Sequence, residues 1–216
     1  VGFGTALEDR SQVAYLAKEE LLSESDRPGE PRPQDDESLL DGIRAGDVSA
    51  FERLYEVHGA RMKSVAANLL GSAPDAEDAV QETFLKIYRG AAAFRGAARL
   101  STWIYRVLVN TCYDLMRKKR RRPLEVVETG SDGETIEFQA PASDLSLRLA
   151  LEASVKELEP RRRSAFVLYA VEGFSHREVG EILGIPEGTS KALLFEARRD
   201  LQRRLSASGS GRQATP

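Results

Sequence analysis

The chain has one cysteine, Cys112, and two histidines, His58 and His176, among 216 residues. A single thiol excludes an intramolecular disulfide and any cysteine-rich zinc or iron–sulfur site. The histidines are not at ligand spacing, and each sits in a charged or mixed helical stretch. Long apolar runs are missing too. The longest stretch without Asp, Glu, Lys or Arg is Ser64–Pro74, far short of the ~20 apolar residues of a membrane helix. The opening residues, VGFGTALEDR, have neither a basic start nor an apolar run, which argues against a secretory signal. Aromatics are 7% and the hydrophobic set 41%, enough for small cores rather than one large one. These absences lead to the expectation of a soluble cytoplasmic protein with no cofactor, no metal, no small-molecule substrate and no membrane insertion.

Charge is abundant but unevenly placed. Residues 1–37 hold 4 basic and 10 acidic residues; residues 38–122 hold 15 and 9. Residues 123–143 hold 5 acids and no cation, and residues 144–206 are nearly balanced, with 11 and 10. A basic block therefore lies between two acidic segments. The overall pI of about 5.6 hides this, and phosphate binding depends on the local field. Ser23–Glu37 has three prolines and almost no apolar residue, and Pro123–Ser143 has scattered apolar residues without a period. Neither offsets its ordering entropy, so both are expected to be flexible, as is the tail 207–216. Within the acidic extension 1–37, Ser11–Leu22 carries a weak helical period.

Every convincing period in residues 38–122 is helical. Leu39, Leu40, Ile43, Phe51, Leu54, Tyr55, Met62, Val65 and Leu69 recur at steps of three and four until Gly71. Ser72-Ala73-Pro74-Asp75 is a helix start, with a serine cap, a proline in the first turn and an acid three residues on. In the helix it opens, Ala76, Val80, Phe84 and Ile87 form the expected buried face. Asp75, Asp78, Gln81 and Glu82 form an acidic, amide-bearing face inside a basic block. That face is either plain solvated surface or a dock for a basic partner. A further helix is expected over Leu100–Arg121, with Trp103, Ile104, Val107, Leu108, Cys112 and Leu115 as its apolar stripe and Thr102, Arg106, Asn110 and Arg117 on a second. It runs into six consecutive cations, Arg117-Lys118-Lys119-Arg120-Arg121-Arg122. Like charges in a row repel one another unless phosphates neutralise them, although the helix dipole favours some of them. The preceding loop, Phe94-Arg95-Gly96-Ala97-Ala98-Arg99, offers an aromatic and two arginines, a combination suited to single-stranded bases.

Residues 144–206 repeat the helical theme. One helix carries Leu145, Leu149, Leu151, Val155 and Leu158; a second, after Pro160, carries Ala165, Phe166, Leu168, Tyr169 and Val171. Ser175 and Glu178 are spaced as a capping box for a short helix ending near Leu183. Gly184-Ile185-Pro186 then turns the chain into a final helix from Glu187 to about Leu205. Short helix, glycine turn and longer helix make a helix-turn-helix, whose second helix begins with the polar residues Glu187, Thr189, Ser190 and Lys191.

Together the two blocks resemble a bacterial sigma factor of the extracytoplasmic-function group, in the sigma-70 family. The residues that carry the resemblance are Asp75-Ala-Glu-Asp-Ala-Val-Gln-Glu-Thr-Phe84, Phe94-Arg-Gly96, Ser101-Thr-Trp-Ile-Tyr-Arg-Val-Leu-Val-Asn110 and Glu178-Val-Gly-Glu-Ile-Leu-Gly-Ile-Pro-Glu-Gly-Thr189. The resemblance implies an all-α protein of two small helical domains, 38–122 and 144–206, joined by the flexible acidic linker 123–143. The first would bind core RNA polymerase through Asp78, Gln81 and Glu82 and open the promoter −10 element. Phe94, Arg95, Gly96 and Arg99 would capture a flipped base beside Asn110. Arg106, Arg117, Lys118, Lys119 and Arg120 would hold phosphates. The second domain would read the −35 element as duplex through Thr189, Ser190, Lys191 and Arg198. The family's linker threads the polymerase's basic channels, which suits residues 123–143, and an anti-sigma factor is the implied inhibitory partner. The sequence departs from the family pattern at Ala192, Leu193 and Glu196. An acid at Glu196 points away from phosphate, weakens −35 binding, or accepts from cytosine N4.

Two other readings remain at this point. A stand-alone helix-turn-helix regulator would bind duplex tightly without polymerase. A nucleic-acid enzyme would need a nucleophile with arginine partners or a metal-binding carboxylate cluster, and the pattern shows neither.

Overall fold

The computed structural model describes residues 33–91, 94, 99–121 and 145–210. Among the described residues there is no strand. Eight helices follow in order: α1 (Pro33–Arg44), α2 (Val48–Leu70), α3 (Ala73–Gly90), α4 (Leu100–Arg121), α5 (Leu145–Lys156), α6 (Pro160–Phe166), α7 (His176–Leu183) and α8 (Glu187–Ser210). A π-helical turn, Val167–Val171, extends α6. The Ser11–Leu22 segment, Arg95, Gly96 and the linker 123–143 lie outside the described residues.

Local chemistry sets most boundaries. Asp47 caps α2 by accepting from Ser49 N. The Ser72 side chain caps α3, and Pro74 sits in its first turn. The Ser175–Glu178 capping box opens α7. Two expectations about the ends need correcting. Residues 33–37, read as part of a flexible extension, already belong to α1, whose opening sequence combines a proline with Asp35, Asp36 and Glu37, a favourable helix start. Residues 207–210, read as tail, continue α8.

In the first block α2, α3 and α4 pack around Leu54, Met62, Val65, Leu69, Ala79, Val80, Ile87, Ile104, Leu108 and Cys112, all nearly or fully buried. In the second, α6, α7 and α8 enclose Ala165, Leu168, Val179, Ile182, Leu194, Ala197 and Leu201. Two glycines make the α7–α8 turn possible. Gly184 has φ 66°, in the left-handed region, and a Cβ on Gly180 would stand 2.8 Å from the Ile185 carbonyl oxygen.

The blocks also pack on each other. α4 lies along α7, while α2 meets α5, α6 and the π turn. Tyr105 of α4 is fully buried against Phe174, with ring centroids 4.9 Å apart in an edge-to-face arrangement. Burying such side chains contributes about 1.5–3 kcal/mol each.

Candidate nucleic-acid interface

The acidic face of α3 is built by what its other side buries. Ala76, Ala79, Val80, Thr83 and Ile87 turn inward, which leaves Asp78, Gln81 and Glu82 exposed, as the spacing implies. Asp75 does not join them: it is held by Lys119 from the end of α4. Further along the same face stand Leu85 and Tyr88, 50% and 58% exposed. Tyr88 leans on Phe51 at 5.2 Å, and Tyr55 on Phe84 at 5.5 Å. The surface is thus acidic at one end and apolar at the other. The sequence carries the signal, because Gln81, Leu85 and Tyr88 share one helical stripe.

The proposed −10 residues are distributed unequally. Asn110, Arg117, Lys118, Lys119 and Arg120 line the exposed side and end of α4. Arg117 pairs with Asp114, and Lys119 with Asp75. Phe94, expected to face a base, is instead 8% exposed and packed on Trp103 at 4.8 Å between ring centroids. Arg44 from α1 donates to the carbonyl oxygens of Ala91 and Phe94, which anchors this end of the loop. Arg99 and Arg106 turn toward the second block. Arg99 is 3.6 Å from Glu178, and Arg106 Nε donates to the Glu181 carbonyl oxygen at 2.7 Å.

In the helix-turn-helix, Thr189 and Lys191 are exposed at the start of α8, and Lys191 pairs with Glu187 at 2.7 Å. Ser190 is buried, and its hydroxyl lies 3.1 Å from His176 Nδ1, so it braces the turn rather than facing a groove. Arg198 is half-buried with its guanidinium 5.9 Å from the Tyr169 ring centroid, on the inner flank of the helix. The outward face instead carries Lys191, Ala192, Arg199 and Phe195, which is 68% exposed. Glu196 is turned back on Arg162 at 3.0 Å, and Arg162 also holds Asp200 at 2.7 Å. Of the three arginines that open α6, Arg163 is half-buried, donating to the Leu69 and Leu158 carbonyls, and only Arg161 is exposed.

Cys112 is buried in the first core, and burial pushes its thiol up to about 12, which keeps it unreactive. No helix among the described residues is long and apolar enough to cross a membrane.

Comparison with known proteins agrees with this layout. Residues 54–122 match the sigma-70 region 2 family, and residues 148–201 match sigma-70 region 4. The ECF RNA polymerase sigma factor SigM of Mycobacterium tuberculosis is 30% identical over 176 residues, covering 82% of this chain and 87% of that protein. The ECF RNA polymerase sigma-E factor of Haemophilus influenzae is 30% identical over 185 residues, covering 79% and 95%. Among solved structures, CnrH in complex with the cytosolic domain of CnrY superposes with a TM-score of 0.61 at 24% identity, over 80% of this chain and 98% of that one. The Bartonella quintana sigma factor RpoE, solved with the anti-sigma factor NepR, gives 0.57 at 24% identity, over 74% and 98%. These two likenesses are of fold. A chain with a region 2 block, a region 4 helix-turn-helix and this similarity to SigM is a promoter-specificity subunit of RNA polymerase. It belongs to the extracytoplasmic-function sigma factors of the sigma-70 family.

Proposed function

We propose that the exposed face of α3, with Asp78, Gln81, Glu82, Leu85 and Tyr88, docks this sigma factor on a basic, partly apolar surface of core RNA polymerase. The α4 stripe and the Phe94–Arg99 loop then engage and open the −10 element, and the outward face of α8 meets the −35 element as duplex. The single observation that carries this reading is the pairing of opposite surfaces in one small block: an acidic–apolar face on α3 and a cationic end on α4. A stand-alone DNA binder has no use for the first. Two modest contacts, each weak alone, become one strong one when both act on the same promoter. The chain works in the cytoplasm, without chemistry of its own. Its acidic linker 123–143 lies in the polymerase's basic channels, its acidic extension masks the basic block in the free protein, and an anti-sigma factor holds it inactive.

The test is co-elution with core polymerase, followed by run-off transcription. Wild type is expected to bind. Asp78→Arg with Glu82→Arg places cations against a basic partner, a mismatch of several kcal/mol, and is expected to lose at least about 100-fold in affinity. Binding unchanged by the double reversal would remove α3 from the interface.

A further inference from the structure

The chain that leaves α3 is tied to the folded block at Phe94, and the tie comes from α1, a helix that carries none of the residues assigned to DNA or polymerase. Arg44 is the last residue of α1. Its guanidinium spans two acceptors: Nε donates to the Ala91 carbonyl oxygen at 3.4 Å, and Nη2 to the Phe94 carbonyl oxygen. Nη1 donates to Asp41 at 3.0 Å, one turn back on α1. Ala91 and Phe94 are the two ends of one turn, since Phe94 N donates to the Ala91 carbonyl oxygen at 3.2 Å. One planar group therefore holds both ends of that turn, from 47 and 50 positions away. Lysine is no substitute here, because its ammonium is a point donor on a flexible stem, whereas the guanidinium presents its N–H groups in a fixed fork.

The backbone beneath Arg44 is fixed. Leu39, Leu40 and Ile43 are buried and seat α1 on the first block. The helix ends in three backbone hydrogen bonds, Ala45 N to the Asp41 carbonyl at 3.0 Å, Gly46 N to that of Ile43 at 3.1 Å and Asp47 N to that of Gly42 at 2.9 Å. Gly46 takes φ 75° to make that turn. A Cβ on Gly42 would stand 2.7 Å from the Ala50 Cβ, so α1 and α2 meet there without slack. The other half of the anchor is aromatic, with the Phe94 ring buried on Trp103 at 4.8 Å between centroids. The main chain of Phe94 is held by Arg44 and its ring by Trp103, so its position is set twice.

We propose that Arg44 is a positioning residue for −10 recognition: by fixing Phe94 it sets where the base-capturing loop begins, and base discrimination depends on it although it touches no base. The inference rests on the −10 reading above for the function, and on Arg44, Ala91, Phe94 and Trp103 alone for the anchor. A recognition site discriminates only when residues outside the contact hold it close to its productive geometry, and elements fixed by packing do so best.

Two measurements on the full-length chain test the two parts. Trp103 is the only tryptophan, so its fluorescence reports the anchor directly. Arg44→Ala is expected to raise acrylamide quenching of Trp103 in the free chain. For the function, holoenzyme reconstituted with core polymerase selects from a pool of single-stranded oligonucleotides randomised over the −10 element. Wild type is expected to show a sharp preference at the captured base. Arg44→Ala and Arg44→Lys are expected to flatten that preference about tenfold, with core polymerase and −35 duplex binding retained. The dependence of log affinity on log salt should stay as in wild type, whereas a lost phosphate contact would lower its slope by about one unit. An unaltered preference in Arg44→Ala, a full preference in Arg44→Lys, or a lowered salt slope would overturn the proposal, because Arg44 would then act as a simple cation or not at all. Should Arg44→Ala lose helicity, Arg44→Lys decides alone. A wild-type holoenzyme that selects no −10 sequence would instead count against the −10 reading, and unaltered Trp103 quenching in Arg44→Ala would still overturn the anchor.

Discussion

The helices α4 and α8 are similar in length and opposite in design. α8 buries one stripe, Ser190, Leu194, Ala197 and Leu201, and leaves the other side open. α4 buries residues on two sides: Ile104, Leu108 and Cys112 in its own block, and Tyr105 against Phe174 of the other. α8 is a helix with a packing face and an open face. α4 has a packing face, a seam and a cationic end, and Arg106 reaches across the seam. The difference shows that a polar stripe on a helix is open to a partner only where no other part of the chain covers it.

The strongest way to break this contrast is to hollow out the seam. Tyr105→Ala removes a fully buried ring from α4 and is expected to cost about 3 kcal/mol of stability in urea unfolding. Phe195→Ala, at the exposed centre of α8, should leave stability within about 0.5 kcal/mol. Tyr105→Phe sharpens the point. The Tyr105 hydroxyl is buried with no partner among the described residues, so its removal should be neutral or stabilising.

Next in size is a pH effect confined to the first block. His58 on α2 is buried near Tyr105, and burial, with the Arg61 charge, lowers its pKa from 6.5 to about 4. The folded state therefore keeps His58 neutral while the unfolded chain protonates it below about 6.5. Its stabilising contribution is complete above that pH and is lost as pH falls toward 4, by up to about 3 kcal/mol. His58→Gln should flatten the fall in unfolding midpoint between pH 6.5 and 4 relative to wild type.

The smallest expected effect tests α8 as a reading face. Glu196→Arg releases Arg162 and replaces an exposed acid with a cation. Duplex binding should tighten by about 1 kcal/mol, and the dependence of log affinity on log salt should steepen by about one unit. An unchanged salt slope would place position 196 away from phosphate. Phe195→Ala, silent in stability, should weaken binding to a selected −35 duplex by about 1 kcal/mol, read by anisotropy titration, if its ring meets thymine methyl groups.

Much of the fold was legible. The Ser72 cap, the Ser175–Glu178 box and the span of α4 follow from residues within a few positions of one another. The exposed acids of α3 were legible for the same reason, since the inward face of that helix is plainly apolar. The π turn at Val167–Val171 left no signal, because its period matches an ordinary helix over so few residues. Ser190 and Arg198 are polar and lie on the second helix of the motif, so the sequence alone points them at DNA. Their inward direction depends on His176 and Tyr169, supplied by other elements. The partner of Glu196, Arg162, lies on α6, 34 positions away in the chain.

By itself the sequence determined the helices, their caps, the basic and acidic blocks and the family, because each depends on neighbours in the chain or on motifs that survive as strings. Only the tertiary structure decided which stripe of each helix is free. Arg106 meets Glu181 across 75 positions, and Arg61 meets Glu172 across 111. No local period encodes such pairs. They arise because two amphipathic blocks, each with polar groups and apolar rings left over, satisfy both at once by closing on each other.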